Sequence, residues 1–300
     1  MTLLAYPNVS EGRDTAAIGR IGLAFGPGLL DVHSDPDHHR SAYTLAGEPG
    51  QLAEAVATGA AEVVRSVAID RHEGVHPRVG ALDVAPIVYL DPADRGAACA
   101  EALVLADLLA DCLGLPVLLY GALGAGRTRA ELRRGGPAEL GRRIADGELS
   151  PDFGPRELHR TAGAVLVAAR PPLIAFNVAL APSMTLQDAR RVAALIREGG
   201  PDGHPGLRAI GLWLEHAGHA QVSTNIEDHR ATTPAEVIVA VARHADVTEA
   251  ELVGLAPEAA LAGLPAAVPL RGRATIEEAL AAMRRRGVGQ TQSHDSSLTS

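Results

Sequence analysis

Hydrophobic and polar positions along the first 120 residues switch repeatedly between a strand-like and a helix-like period, and the switches predict a strand, helix, strand, strand, helix, strand order. Leu3–Tyr6 is apolar and strand-like, and Pro7-Asn8-Val9-Ser10-Glu11-Gly12 has the residues of a turn. A helix is expected over Thr15–Phe25, strands over Leu29–His33 and Ser41–Leu45, and an Ala-rich helix over Gln51–Ile69. Beyond the polar loop Arg71–Asp83 come an apolar strand at Val84–Leu90, a helix through Ala97–Leu113 and a strand at Val117–Tyr120. Gly126–Pro155, rich in Arg, Gly and Pro, reads as a helix bracketed by loops. Leu173–Leu180 opens a second round: helix Leu186–Glu198, strands Leu207–Glu215 and Ala220–Ile226, helix Pro234–His244, and a strand near Leu252–Leu255.

Strands alternating with helices, some of them paired directly, predict an α+β protein of two α/β sandwich subdomains, each a mixed β-sheet with helices packed on one face. The expected boundaries are 1–172 and 173–286, with 287–300 a polar tail expected to be disordered. The two rounds share their element order, although no residue-level repeat is visible.

Composition narrows the function. Hydrophobic residues make up 47 % of the 300 and aromatics 3 %, so the core must be built from Ala, Leu, Val and Ile. A formal net charge of -9 and a pI near 5.7 argue against a nucleic-acid partner, because phosphate neutralisation needs clustered Lys and Arg. An anionic small substrate would therefore need a local basic pocket. The apolar runs, such as Ala164–Ala169, fall far short of the ~20 residues of a bilayer span, and no leader is visible, so a cytoplasmic protein without membrane partners is expected. Cys99 and Cys112 lie in an apolar helical segment and are expected to be reduced core thiols.

Ionisable residues concentrate in two loops, His33-Ser34-Asp35-Pro36-Asp37-His38-His39-Arg40 and Arg71-His72-Glu73-Gly74-Val75-His76-Pro77-Arg78. Polar loops at the ends of rigid elements are where scaffolds hold catalytic groups. The plainer reading is a solvated loop with incidental charge. His72-Glu73-Gly74-Val75-His76 also matches the zinc-hydrolase pattern, which works only when a helix sets both imidazoles on one face. Gly74 and the Pro77 that follows His76 oppose that helix, so no metal is expected. Gly121-Ala122-Leu123-Gly124-Ala125-Gly126 follows a strand but lacks dinucleotide spacing and a phosphate-loop Lys, and is taken as a connection.

Several separated motifs occur in a telling order: Pro7–Gly12, Asp35–Ser41, His76–Val84, Pro151-Asp152-Phe153-Gly154-Pro155, Ile174–Asn177 and Ala220–Asn225. Together they resemble the glutamate formiminotransferase family, and the resemblance runs from about residue 4 to residue 256. It implies two sandwich subdomains with a substrate groove between them, no cyclodeaminase domain, and transfer of a formimino group from N-formimino-L-glutamate to tetrahydrofolate in histidine breakdown. The family's catalytic histidine falls on His76. Its folate-contacting stretch falls on Gly154, Pro155, Arg156, Glu157, Leu158, His159, Arg160, Thr161, Ala162 and Gly163. Arg40 and Arg78 are candidates for substrate carboxylates, since a guanidinium offers a planar fork to carboxylate oxygens. Asp83 could orient His76 or cap its loop, and Asn8 and Glu11 could serve a pocket or a turn. Animal members have Lys, Glu and Asn where this chain has Glu73, Val75 and His39, and a polar residue where it has Ala179. Those differences bear on the donor, so a formyl transferase and a folate-binding paralogue without turnover stand as alternatives beside the less favoured zinc hydrolase. Small-molecule substrates and a homodimer are the expected partners.

Overall fold

A computed structural model describes the backbone of residues 1–295 and the side chains of 1–286 except that of residue 71. The chain divides into two compact units, Met1–Pro172 with Leu214–Ala217, and Leu173–Trp213 with the residues from Gly218 onward.

The first unit opens with β1 (Leu3–Ala5), β2 (Asn8–Val9), α1 (Thr15–Ala24), β3 (Leu29–Asp35), β4 (Arg40–Gly47), α2 (Leu52–Ser66) and β5 (Leu82–Val88). It continues through α3 (Arg95–Leu113), β6 (Val117–Leu119), α4 (Arg129–Arg133), α5 (Gly136–Ala145) and β7 (Val165–Arg170). The expected first strand is β1, and Asn8–Val9 of the expected turn pairs as a second short strand, set apart from it at Pro7, which cannot donate to the ladder. Its carbonyl still accepts from the Tyr43 amide at 2.9 Å, and the Tyr6 amide reaches the Pro86 carbonyl at 3.1 Å. β1 and β2 thus share one lane between β4 and β5, antiparallel to both, while β3 pairs on the far side of β4. β5, β7 and β6 run parallel to one another, which makes the sheet mixed.

Side chains alternate across that sheet. Leu3, Ala5, Tyr43, Leu45, Ile87, Val117 and Val167 pack with Ile21 of α1, Val56 and Val63 of α2, and Leu105 and Leu109 of α3. Val84, Leu118, Leu166 and Ala168 pack with Leu132 of α4 and Leu140 and Ile144 of α5. Helices on one face are therefore joined by a second helical layer over β5, β7 and β6, because strands flanked by parallel neighbours have two apolar faces to cover. The single helix expected within Gly126–Pro155 is the pair α4 and α5, and the apolar run Ala164–Ala169 forms β7.

Helix α2 starts in an unusual way. Its N-cap residue, Gln51, makes no side-chain cap, and the amides of Gly50 and Ala53 instead donate to the buried carboxylate of Glu101 on α3, each at 2.7 Å. A carboxylate from a neighbouring helix thereby satisfies amides that the first turn leaves without partners and complements the positive end of the helix dipole.

The second unit comprises β8 (Ile174–Leu180), α6 (Leu186–Ile196), β9 (Leu207–Leu214), β10 (His219–Ile226), α7 (Pro234–Ala242), β11 (Val247–Val253), β12 (Leu270–Arg271) and α8 (Ile276–Asp295). Its sheet has the order β12-β11-β8-β10-β9, and Phe176, Val178, Val222 and Leu252 pack with Val192 and Ile196 of α6 and Val237 and Val241 of α7. The strand expected near Leu252–Leu255 starts five residues earlier, at Val247. Stripped of additions, both units follow the same strand, helix, strand, strand, helix, strand path with the first and last strands adjacent. Part of the expected tail is backbone of α8, and 296–300 lie outside the described residues. Cys99 is half-buried, whereas Cys112 is exposed, because the late turns of α3 turn that position away from the sheet. No described helix is long and apolar enough to cross a membrane.

Candidate active site

The two polar loops of the first unit meet. The tip of the β3–β4 hairpin is the turn Pro36–His39, and the second loop runs from His72 into β5. Asp35, the last residue of β3, accepts from the His38 amide at 2.7 Å and from His38 Nδ1 at 3.0 Å. Burial alone would raise the Asp35 carboxyl, but the His38 ring and amide outweigh it and hold the group at about 2. His39 follows in the left-handed region, at φ 49°, which suits a short polar side chain such as Asn better than most residues. Its ring stacks on His72 at 4.1 Å, and its nitrogens face Glu11 Oε1 at 3.2 Å and the Glu73 carbonyl at 3.3 Å.

His72 donates from Nε2 to the His39 carbonyl at 2.7 Å, and its buried Nδ1 has no partner among the described residues. Burial pushes the His72 ring down to about 4, so it stays uncharged at neutral pH. The segment His72–Val75 is not helical: Gly74 lies so close to the hairpin that a Cβ there would sit 2.6 Å from the His38 carbonyl oxygen. The geometry that a zinc pattern needs is thus missing at this place.

His76 lies at the centre of the second loop. Arg40, the first residue of β4, donates from Nη1 to His76 Nε2 at 2.7 Å, and the ring centroid of His38 is 6.3 Å from that of His76. Burial first, and then the charges of Arg40, Arg133 and His38, hold the His76 imidazole well below its ordinary value. The ring is uncharged, and its Nε2 lone pair is taken by the Arg40 N–H, so it can accept a proton there only when Arg40 turns away. Arg40 is itself lowered to about 10 by burial and by Arg133 and Arg129, partly offset by Asp83 and Asp35, and remains cationic at neutral pH.

Arg78 takes a different place from the one its type suggests. Its guanidinium donates to the carbonyls of Gly74 at 3.0 Å, His76 at 3.4 Å and His72 at 2.5 Å, and so clasps the backbone that carries His76. Asp83 does not touch His76: one oxygen caps the Val79 amide at 2.8 Å and the other pairs with Arg133. Asn8 bonds the Tyr6 carbonyl, and Glu11 caps the amides of Arg13 and Asp14 as well as meeting His39, so both are engaged in turns.

Two residues whose charges reach Arg40 escape a reading of the sequence. Arg129 and Arg133 lie four apart on α4, hence on one face of that helix. Arg133 reaches Asp83, and Arg129 lies over the ring of Tyr120 at 5.8 Å from its centroid. The available signal was Thr128-Arg129-Ala130-Glu131, whose Thr and Glu form a capping box that opens α4.

The stretch Gly154–Gly163 precedes β7. Residues 154–157 and Arg160 are exposed, while Leu158, His159 and Thr161 are half-buried and Ala162 and Gly163 are buried. His159 and Gly163 exchange backbone hydrogen bonds at 3.0 and 2.8 Å, and His159 Nδ1 accepts from the Ala162 amide at 3.0 Å. The far end of this loop is sewn to the loop of His76, through Ala81 N–H to the Ala162 carbonyl at 2.8 Å and Ala164 N–H to the Val79 carbonyl at 3.1 Å. Gly163, at φ 70°, leaves no room at this seam: a Cβ would stand 2.4 Å from the Val79 oxygen, and one on Gly80 would stand 2.0 Å from the Ala164 oxygen.

Comparison with known proteins agrees with the motif pattern. Residues 2–170 match the formiminotransferase domain, N-terminal subdomain, and residues 175–267 match the formiminotransferase domain. The chain is 34 % identical to a glutamate formimidoyltransferase of Streptococcus pyogenes, with 85 % of this chain and 89 % of that protein covered. It is 32 % identical to one of Thermoplasma acidophilum, with 85 % and 88 % covered. Identity reaches 38 % with a formimidoyltransferase-cyclodeaminase of Sus scrofa, of which the chain spans only 50 %.

Proposed function

The chain belongs to the formiminotransferase domain family, and from that premise we propose that it moves a formimino group from N-formimino-L-glutamate to tetrahydrofolate, releasing glutamate. The observation that carries the reading is the half-buried, uncharged His76 with Nε2 held 2.7 Å from the Arg40 guanidinium. His76 stands in a loop that is sewn to the end of Gly154–Gly163, the stretch proposed to meet the folate.

In the proposed reaction the lone pair on nitrogen-5 of tetrahydrofolate attacks the formimino carbon and a tetrahedral centre forms. Nitrogen-5 then carries a proton in excess, which Nε2 of His76 accepts once the Arg40 N–H has turned away from its lone pair. The same proton is returned to the amino nitrogen of the glutamate as its bond to carbon breaks. Net charge and protons balance, and no group beyond the two substrates is consumed. Lowering of the His76 ring by burial and by Arg40 suits both halves: the base is present at neutral pH, and the imidazolium formed is acidic enough to give its proton back. Holding the two reactants together can remove on the order of 7–11 kcal/mol from the barrier at best. On this reading the enzyme works in the cytoplasm, in the breakdown of histidine.

Mixing the protein with tetrahydrofolate and N-formimino-glutamate, and following the folate absorbance, tests the proposal. Turnover that is faster with the formimino than with the formyl donor is expected. Turnover of N-formyl-glutamate alone would transfer the assignment to formyl chemistry, and tight folate binding with neither turnover would refute an enzymatic role.

A further inference from the structure

Arg40 and His76 are an unequal pair. A guanidinium carries several N–H donors, yet among the described residues the only side-chain hydrogen bond of Arg40 runs from Nη1 to the uncharged His76 imidazole at 2.7 Å. The carboxylates nearest in charge are engaged elsewhere, Asp83 with Arg133 and Asp35 with His38. Of the charges that bear on Arg40, Arg133 and Arg129 repel it while Asp83 and Asp35 attract it; those that bear on His76 are Arg40, Arg133 and His38. Both side chains are half-buried, so a ligand can reach the pair without opening the core. A carboxylate meets a guanidinium fork to fork, in bonds about twice as strong as those to a neutral acceptor. An anion placed beside Arg40 would therefore outcompete the imidazole, and the contact it displaced is the one that covers the lone pair the reaction needs.

Resting on the function proposed above, we propose that Arg40 gates His76: it occupies Nε2 until the α-carboxylate of the donor draws it away, so that the base is freed only when the donor is seated. The chemistry of the two substrates selects that carboxylate. It is bonded to the carbon that bears the leaving nitrogen, so it travels with the atom to which His76 returns the proton. The carboxylates of tetrahydrofolate lie beyond an aminobenzoyl ring from nitrogen-5, away from the reacting atoms. Arg40 thus reads the charge of the donor and withholds the base from a folate that arrives alone. No covalent bond changes in the switch; the Arg40 N–H groups exchange one acceptor for another.

The His76 ring itself reports the switch, through NMR of isotope-labelled histidine with His76→Gln identifying its signals. Adding N-formimino-L-glutamate without folate is expected to raise the pH at which His76 titrates by about one unit or more, because a cation leaves Nε2 and an anion arrives. The α-amide of the same compound should leave that titration unmoved, and so should the donor itself in Arg40→Gln. In wild-type kinetics the acid limb of kcat should lie above that of kcat/KM for the donor, since only the donor complex has the lone pair uncovered. In Arg40→Gln the two limbs should merge, with KM for the donor raised about tenfold or more and KM for the folate unchanged. A purely structural Arg40 would not separate the limbs. If the donor is turned over but leaves the wild-type His76 titration in place, or if its α-amide moves it equally, the gate is refuted while the transferase reading stands; this arm depends on no variant folding. If the donor shifts His76 but no formimino group reaches tetrahydrofolate, the gate stands and the transferase reading falls. Neither shift nor turnover overturns both.

Discussion

Replacing His76 with Ala separates the chemistry from the scaffold. Removing a positioned acid and base costs about 10²–10⁴-fold in rate, which is roughly 2.7–5.4 kcal/mol at 1.36 per tenfold. The structural cost is smaller, because the ring contributes little beyond the hydrogen bond it accepts from Arg40 at 2.7 Å and one with the Pro77 backbone. The loop itself is held by Arg78 through the carbonyls of Gly74, His76 and His72, and by the Asp83 cap on Val79, none of which needs the imidazole. Loss of the contact to a cation should therefore lower stability by about 1–3 kcal/mol and leave the fold cooperative. Steady-state rates with both substrates saturating, read beside a urea melt, supply the two numbers. The expected pattern is a kcat reduced by at least about a hundredfold with KM values little changed. A variant that folds and retains more than about a tenth of the wild-type rate would remove His76 from proton transfer.

Further expectations follow from neighbouring contacts. Since burial and then the Arg40 charge hold His76 low, the acid limb of the pH–rate profile should lie below the ordinary imidazole value, and Arg40→Gln should move it upward; an unmoved limb would disconnect the two side chains. His72 is lowered to about 4, so the unfolded chain binds its proton first; stability should be full above about pH 6.5 and decline as pH falls toward 4, a slope that His72→Gln should flatten in urea melts across that range. Glu101→Gln should cost roughly 1.5–3 kcal/mol by weakening the two charge-assisted bonds that start α2, and an unchanged melting temperature would contradict that cap. Gly163→Ala should cost on the order of 2–5 kcal/mol, because it adds a left-handed alanine and a clash with the Val79 carbonyl; a neutral effect in the same melt would refute the close seam.

The fold was largely legible because most elements carry a clean period. Thr15–Ala24, the central parts of α2 and α3, and the antiparallel strands of both units lie where alternation or 3.6-residue spacing placed them. The failures have two causes. β7 is apolar on both faces because helices cover both, so its run showed no alternation, and α4 with α5 fell in a segment whose glycines and prolines let it read as one helix bracketed by loops. At the candidate site, chemical clustering and motif resemblance pointed to the two polar loops, and the structure brings those loops together. The partners of Arg78 and Asp83 were not legible, since a guanidinium facing backbone carbonyls and one facing a ligand have the same sequence. Arg129 and Arg133 were missed because their relevance depends on α4 coming to rest near residues some fifty positions earlier, such as Asp83.

The backbone seam at Gly80 and Gly163 gives the site a mechanical property. Two strands of peptide lie so near one another that neither can acquire a side chain, and the bonds from Ala81 and Ala164 lock them in register. A ligand that quiets the segment before β7 must also quiet the one bearing the imidazole, with no lever or hinge to carry the message. Amide exchange at Ala81 and Ala164 should therefore slow together when either substrate is added alone.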